Sequence, residues 1–147
     1  MENRRKKIEE FFSLYEKNFN DSLSDYTNNI NEIMASSFAD CFIESSPAGV
    51  NCGKNDEQFA YVIRQGIGFY RSIGSESMHI TDKEITLLDD LHAMCKISWK
   101  YVYRKDGKEG TIDFVVFYFV RTSDEVIKIF AYIAGDEQKA LKEKGLI

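Results

Sequence analysis

Residues 91–121 read LHAMCKISWKYVYRKDGKEGTIDFVVFYFVR, and this stretch decides the fold class of the 147-residue chain. Its centre, Asp106-Gly107, is one of the strongest sequence signals for a two-residue β-hairpin turn. Apolar residues alternate with polar ones before the turn and occupy most positions in the second half of the segment after it. The stretch therefore predicts two long antiparallel strands.

Period-two patterns also lie on both sides of this hairpin, so a four-stranded antiparallel meander is expected. Its strands are predicted at residues 78–88, 91–104, 110–121 and 126–134. The apolar parity of the first strand changes between Ile80 and Ile85. This change predicts a bulge near Asp82-Lys83, which a strongly bent sheet requires.

Helical periodicity dominates the N-terminal part of the chain. Apolar residues at helical spacing predict an amphipathic helix over residues 4–18, which Asn20 and the polar residues after it end. A second helix, which contains Tyr26, is predicted to end near Ser37. A short strand over residues 38–45 follows, closed by a Pro/Gly turn.

Two further helices are predicted downstream of that turn. Asn55 is the expected N-cap of a third helix that ends at Gly74. Gly66 and Gly68 within it are interpreted as points of close packing against the sheet. Residues 136–144 form a last short helix, so the order of elements is typical of an α+β fold with helices on one sheet face.

Composition limits the class of function. The chain is interpreted as a single domain over residues 1–147, and its net charge of −5 argues against nucleic acid as a partner. No apolar run approaches the roughly 20 residues that a membrane helix needs, and no signal-peptide pattern is present, so a cytoplasmic location is expected. Cys41, Cys52 and Cys95 form no metal-binding motif, and neither a metal nor a cofactor is expected.

The strand at residues 111–120, TIDFVVFYFV, is apolar on both faces. An antiparallel strand with one wet face would alternate, so both faces of the sheet are expected to be covered. Helices cover only one of them. The sequence therefore predicts a homodimer in which a second copy covers the outer face.

This order of elements, together with FADCFIESSPAG at 38–49, WKYVYRKDG at 99–107 and KIFAYIAGDEQ at 128–138, resembles the nuclear transport factor 2-like superfamily. The superfamily includes ketosteroid isomerases, scytalone dehydratase and SnoaL-like polyketide cyclases. The resemblance implies a cone-shaped α+β barrel, with three N-terminal helices on a strongly bent antiparallel sheet and a short C-terminal helix. It also implies a largely apolar pocket and dimerisation through the outer sheet face.

Only part of the catalytic set of ketosteroid isomerases has a counterpart in this sequence. Those enzymes use a tyrosine and a protonated aspartic acid as an oxyanion hole, and a second aspartate as the base. Tyr15 lies near the tyrosine position, but Ser46 stands at the base position and Tyr118 at that of the protonated acid. Because serine is no general base near neutral pH, steroid isomerisation of that kind is not expected.

A different proton-transfer residue is suggested by the same resemblance. If Ser46 faces the pocket, strand alternation places Phe42 and Glu44 on the same face. Glu44 would then move a proton in a mostly apolar surrounding, with Tyr15 and Tyr118 donating hydrogen bonds to a ligand oxygen.

Three apolar side chains complete the predicted pocket. They are Trp99, Phe114 and Val116. The implied ligand is a small apolar or aromatic molecule.

Each candidate also has a structural interpretation. Glu44 could form a salt bridge or be solvated, and the aromatic residues could be ordinary core. His79 and His92 are interpreted as exposed or structural residues, and Asp113 as facing the dimer side. Two functions stay open: a cofactor-free isomerase, dehydratase or cyclase, and a non-enzymatic ligand-binding or protein-interaction module.

Overall fold

The computed structural model describes residues 2–24 and 30–147, and shows helices covering one side of a curled six-stranded sheet. The helices are α1 (Glu2–Ser24), α2 (Ile30–Ala35), α3 (Glu57–Ser72) and α4 (Glu137–Glu143). The strands are β1 (Phe38–Ser46), β2 (Gly49–Lys54), β3 (Ser75–Leu87), β4 (His92–Lys105), β5 (Lys108–Ser123) and β6 (Val126–Ile133). The predicted α+β architecture is confirmed.

The strands follow the order β2-β1-β6-β5-β4-β3 across the sheet. The meander from β3 to β6 is antiparallel, as predicted. β1 joins its far edge by pairing parallel to β6. β2, which was not predicted, pairs antiparallel to β1 and forms the edge of the sheet.

The turn and the bulges that curl the sheet lie at specific residues. Asp106 and Gly107 both have positive φ angles, 54° and 77°, as a tight hairpin between long twisted strands requires. The register of β3 against β4 shifts between Ile80 and Asp82, so the predicted bulge is confirmed. A second shift leaves Phe130 of β6 without a residue opposite it on β5.

The core lies between α1 and the concave face of the sheet. Burial alternates strictly along β4 from Ala93 to Tyr103, so every second side chain enters the core. Ile8 and Phe12 of α1 are fully buried against this face. The aromatic stripe of α1 therefore closes the sheet into a cone whose inner wall is apolar.

α1 runs longer than predicted, since it continues through Asn20 to Ser24. The amide of Asn20 donates to the Met78 carbonyl and accepts from the Met78 N–H, both at 2.8 Å. Its polar groups are therefore used to tie α1 to β3. The Ser22 and Ser24 hydroxyls donate to the carbonyls of Phe19 and Asp21 in the preceding turn of α1.

α2 is short, and Tyr26 of the predicted second helix lies outside the described residues. Its last two residues, Met34 and Ala35, are buried. Within residues 2–24 and 30–147, the helices include none that is long and apolar enough to cross a membrane.

The start of α3 differs from the prediction by one residue. Asp56, not Asn55, is the N-cap, and its carboxylate accepts from the N–H groups of Gln58 and Phe59. The Asn55 amide instead donates to the carbonyls of Ala35 and Phe38, joining α2 to β1.

The interpretation of the two α3 glycines was wrong. A Cβ atom added to Gly66 or Gly68 would meet nothing within 4 Å. Neither glycine is therefore required by close packing, and each only lowers the intrinsic stability of the helix.

Candidate functional site

A cavity of about 290 Å³ lies inside the cone. Its walls are formed by α1, α3, the inner faces of β1 and of β3 to β6, and the start of α4. The lining residues are Tyr15, Phe19, Phe38, Tyr70, Met78, Trp99, Tyr101, Ile112, Phe114, Val116, Tyr118, Tyr132, Ala134, Gly135, Asp136, Glu137, Ala140 and Leu141. The wall is mostly aromatic and aliphatic, with a few polar atoms, as is typical of a small-molecule site.

Strand register explains why the large residues converge there. Trp99 of β4 is paired with Phe114 of β5, and Tyr118 of β5 is paired with Tyr132 of β6. Because alternate residues face the same side of a sheet, these pairs form one continuous inner surface. Tyr15 of α1 lies against it, with its ring centroid 6.0 Å from that of Tyr118.

The tyrosine hydroxyls in this wall are strongly desolvated. Burial raises the pKa of Tyr15 to about 12, although a hydroxyl contact with Tyr118 partly offsets this rise. Burial also raises the pKa of Tyr118 well above its ordinary value, and the neighbouring Tyr15 adds to that rise. By surface area Tyr15 is only half-buried, because its ring borders the cavity. Both phenols therefore keep their protons throughout the physiological range.

Trp99 adds a further polar group to the wall. The residue is only 3% exposed, and its Nε1 has no hydrogen-bond partner among the described residues. Nε1 approaches the Tyr118 hydroxyl closely enough to lower the pKa of that group, yet the contact lacks hydrogen-bond geometry. Buried donors in folded proteins are nearly always paired, so this group calls for an acceptor.

Tyr132 connects the cavity to a second, more open pocket. The parallel pairing of β1 and β6 sets Glu44 opposite Tyr132, and the Tyr132 hydroxyl donates to Glu44 Oε2. The other carboxylate oxygen, Oε1, accepts from the Asn51 amide at 3.3 Å. Burial, followed by the hydrogen bond and the charge of Glu44, raises the pKa of Tyr132.

The second pocket, called the outer pocket below, has a volume of about 340 Å³. Its lining residues are Phe42, Glu44, Asn51, Cys52, Gly53, Lys54, Asp56, Gln58, Phe59 and Val62. It lies between β1, β2 and α3 and carries several exposed polar groups. Unlike the cavity, it opens broadly to solvent.

The predicted site residues are thus divided between two places. Tyr15, Trp99 and Tyr118 lie in the cavity wall, together with the predicted Phe114 and Val116.

The β1 residues of the predicted site lie elsewhere. Phe42 and Glu44 line the outer pocket, and Glu44 contacts the cavity wall through the Tyr132 hydroxyl. Ser46 lies at the turn between β1 and β2, where its Oγ accepts from the Ala48 N–H at 3.2 Å.

Two carboxylates at the rim of the cavity were not predicted as site residues. Asp136 caps α4 and accepts from the Lys139 N–H at 3.0 Å. Glu137 follows it, and although the residue as a whole is exposed, desolvation of its carboxyl group raises its pKa. Their only sequence signal is their place shortly after β6, where Tyr132 of the strand and Ala134 just beyond it line the cavity.

The histidines lie away from the cavity lining. His79 is exposed, and His92 pairs with Asp89 at 2.9 Å at the turn before β4. The pKa of Asp89 is lowered first by the Leu91 N–H and then by His92. Among the described residues, no group of three His, Cys, Asp or Glu residues could hold a metal ion.

Residues 4–137 match the family model described as NTF2-like protein (DUF6841). The chain belongs to this family. No functionally curated protein matches it.

Solved structures show the same fold at low sequence identity. An NTF2-like protein of unknown function from Shewanella oneidensis MR-1 is 18% identical with a TM-score of 0.69, covering 90% of this chain and 99% of its own. An NTF2-like protein with a cystatin-like fold from Novosphingobium aromaticivorans is 11% identical with a TM-score of 0.71, covering 97% and 88%. A ketosteroid isomerase-like protein from Erwinia carotovora atroseptica is 15% identical with a TM-score of 0.62, covering 87% and 92%. These similarities establish the fold, while the function has to be argued from the site.

Proposed function

We propose that the cavity binds a small, neutral, apolar or aromatic molecule that carries a carbonyl oxygen. The observation that carries this proposal is Trp99 Nε1, a buried donor that has no partner among the described residues and lies in the wall of a cavity of about 290 Å³. An oxygen acceptor placed there would satisfy the indole N–H and reach the neighbouring Tyr118 hydroxyl. Leaving such donors unpaired costs free energy that the ligand would restore.

The electrostatics of the wall support a neutral ligand. The polar groups inside, from Tyr15, Trp99 and Tyr118, are uncharged, and the carboxylates Asp136 and Glu137 lie at the rim. An anion would meet those carboxylates and would lose its hydration without a basic partner among the lining residues. Neutral ketones and phenols avoid both the repulsion by the carboxylates and the loss of a charged group's hydration.

Trp99 makes this proposal directly testable, because it is the single tryptophan of the chain. Titration with acetophenone should quench its fluorescence in a saturable manner. Ala134→Leu, which fills part of the cavity, should weaken binding about tenfold or more, since a methylene-sized clash costs roughly 1–3 kcal/mol. Ala48→Leu, in the exposed turn after β1, is the matched control. Equal quenching in both variants would contradict the proposal.

Cofactor-free proton transfer is the second candidate function, in which an enolisable ketone is isomerised, dehydrated or cyclised. The observation that favours it is Glu137, a cavity-lining carboxylate with a raised pKa. A base with such a pKa removes a proton more effectively near neutral pH. Tyr15 and Tyr118 would stabilise the enolate oxygen, while Glu44 could take part only through Tyr132.

Deuterium exchange separates these two functions. If Glu137 is a base, the enzyme should accelerate exchange of the methyl protons of acetophenone in D₂O, and Glu137→Gln should abolish the acceleration. Glu143→Gln, on the exposed side of the same helix, should leave it unchanged. Binding without any accelerated exchange would identify a non-enzymatic ligand-binding module.

The outer sheet face is proposed to form a two-fold dimer. Ile43, Val50 and Ile133 are 47%, 68% and 46% exposed and lie beside Phe117 and Phe119 on that face. An exposed apolar patch of this kind is typical of a self-association surface.

Light scattering after size-exclusion chromatography tests the dimer. The wild-type chain should elute as a dimer, and Ile133→Lys should convert it into a folded monomer. Val62→Lys places the same charge at an exposed position of α3 as a control. A monomeric wild-type chain at micromolar concentration would overturn this assignment.

A further inference from the structure

Tyr132 stands between the cavity and the outer pocket. Its ring lines the cavity, whereas its hydroxyl proton is directed through the wall to Glu44 Oε2. Glu44 is held in place from the other side by the Asn51 amide, which donates to Oε1 at 3.3 Å. The wall therefore fixes the direction of one phenol proton.

The hydrogen-bonding capacity of the Tyr132 hydroxyl determines which interactions it can still offer to a ligand in the cavity. A tyrosine hydroxyl has one proton to donate and two lone pairs that accept, whereas an ionised carboxylate only accepts. Once Tyr132 has donated to Glu44, only lone pairs remain available to a ligand. Burial and the adjacent Glu44 raise the pKa of Tyr132, so that its proton is retained.

Tyr132 thus differs from Trp99, the other buried polar group that this inference uses. Trp99 Nε1 is a donor without a partner among the described residues, and an indole N–H never accepts. The Tyr118 ring, next to Trp99, has its centroid 6.2 Å from that of Tyr132. The Trp99 N–H and the Tyr132 hydroxyl oxygen are therefore separated by the Tyr118 ring. A single small molecule can contact both.

We propose that Tyr132, whose hydroxyl proton is donated to Glu44, is a hydrogen-bond acceptor deeper in the cavity than the rim carboxylates Asp136 and Glu137, and that it selects ligands that carry a hydroxyl donor in addition to a carbonyl acceptor. The inference rests on the proposed binding function and narrows its ligand class to neutral aromatic hydroxyketones. Glu44 acts here as a positioning residue, because it orients Tyr132 without entering the cavity.

Matched probes test this preference. Meta- and para-hydroxyacetophenone carry both groups, their methyl ethers carry only acceptors, and acetophenone carries the carbonyl alone. In the wild-type protein, the better-fitting hydroxy probe should quench Trp99 fluorescence with about tenfold lower Kd than its methyl ether, the usual worth of one buried hydrogen bond.

Two variants separate the acceptor from the residue that orients it. Tyr132→Phe should remove the preference for the hydroxy probe. Glu44→Ala keeps the phenol but frees its proton to turn towards the cavity, so the preference should fall and acetophenone should bind more tightly. Gln58→Ala, in the outer pocket, should behave as wild type. A purely structural role of Glu44 would weaken all probes equally.

A measurement without ligand covers the case in which Glu44→Ala does not bind any probe. With tyrosine labelled at ¹³Cζ, the signal identified through Tyr132→Phe should shift in Glu44→Ala and stay in place in Gln58→Ala. An unchanged signal in Glu44→Ala would overturn the inference.

The possible outcomes test this inference separately from the proposed binding function on which it rests. Equal Kd values for hydroxy and methoxy probes, together with saturable binding of acetophenone, would overturn the hydroxyketone preference and leave the binding function standing. Failure of every probe to bind the wild-type protein would overturn both.

Discussion

The cavity and the outer pocket share a wall but differ in chemical character. The two are similar in volume, about 340 Å³ for the outer pocket and about 290 Å³ for the cavity, but the outer pocket opens more broadly to solvent. Its Glu44 carboxylate accepts a hydrogen bond from the Asn51 amide. In the cavity, burial raises the pKa of Tyr15 to about 12 and leaves Trp99 Nε1 without a partner among the described residues. Enclosure, and not volume, changes what the side chains can do.

The largest contrast should appear in stability. Trp99→Ala should lower the free energy of unfolding by about 3–5 kcal/mol, the usual cost of removing a buried aromatic side chain. Val62→Ala, in the outer pocket and 54% exposed, should change it by less than about 0.5 kcal/mol. Urea unfolding followed by far-ultraviolet circular dichroism measures both. Similar losses in the two variants would remove the energetic distinction between the pockets.

The decrease in the free energy of unfolding at alkaline pH should depend on the burial of Tyr15 in the cavity wall. Between pH 10 and about 12, Tyr15 of the unfolded chain loses its proton while the folded protein retains it. The unfolded state then binds fewer protons, so the free energy of unfolding falls as pH rises through this window. Below pH 10 the contribution of Tyr15 is fully present. Its loss should amount to roughly 2–3 kcal/mol across the window.

Urea midpoints at pH 9, 10 and 11 check this limb. Tyr15→Phe should show a shallower decline than the wild-type protein, because one desolvated phenol is gone. Tyr61→Phe removes a phenol from a residue that is 59% exposed and should decline as steeply as wild type. Parallel curves for wild type and Tyr15→Phe would show that the cavity does not desolvate this hydroxyl.

A pair of glycine variants asks whether the outer pocket is loosely packed throughout. A Cβ on Gly53 would lie 2.4 Å from the Phe42 ring, so Gly53→Ala should cost about 1–3 kcal/mol through overpacking. Gly66→Ala meets nothing within 4 Å and should stabilise α3 by about 0.5–1 kcal/mol. Thermal unfolding measures both shifts. An unchanged stability of Gly53→Ala would mean that the Phe42 ring moves aside at little cost.

Much of the fold could be predicted because its signals are local. The Asp106-Gly107 turn and the alternation around it fix the meander without reference to distant residues. β2 was missed for the opposite reason. Its sequence, GVNCGK, contains two glycines and no alternation, so it is a strand only because β1 supplies its hydrogen bonds.

The site was predictable only where strand parity determines it. If Tyr118 faces inward, strand alternation predicts that Phe114 and Val116 face inward too. Glu44 required more, because its contact with Tyr132 depends on the parallel pairing of two segments that lie far apart in the sequence. Glu137 depends on where α4 docks, and no local pattern encodes that position.

The parallel pairing of β1 with β6 also bears on the order in which the protein folds. The hairpins of the meander join neighbouring segments, whereas Phe38 has to find Ile129 across most of the chain. Closing so long a loop is slow, because its entropic cost precedes any stabilising contact. We therefore expect the meander to form early, and β1, which carries Glu44 to Tyr132, to dock late. The connection between the two pockets would then be among the last features of the native structure to form.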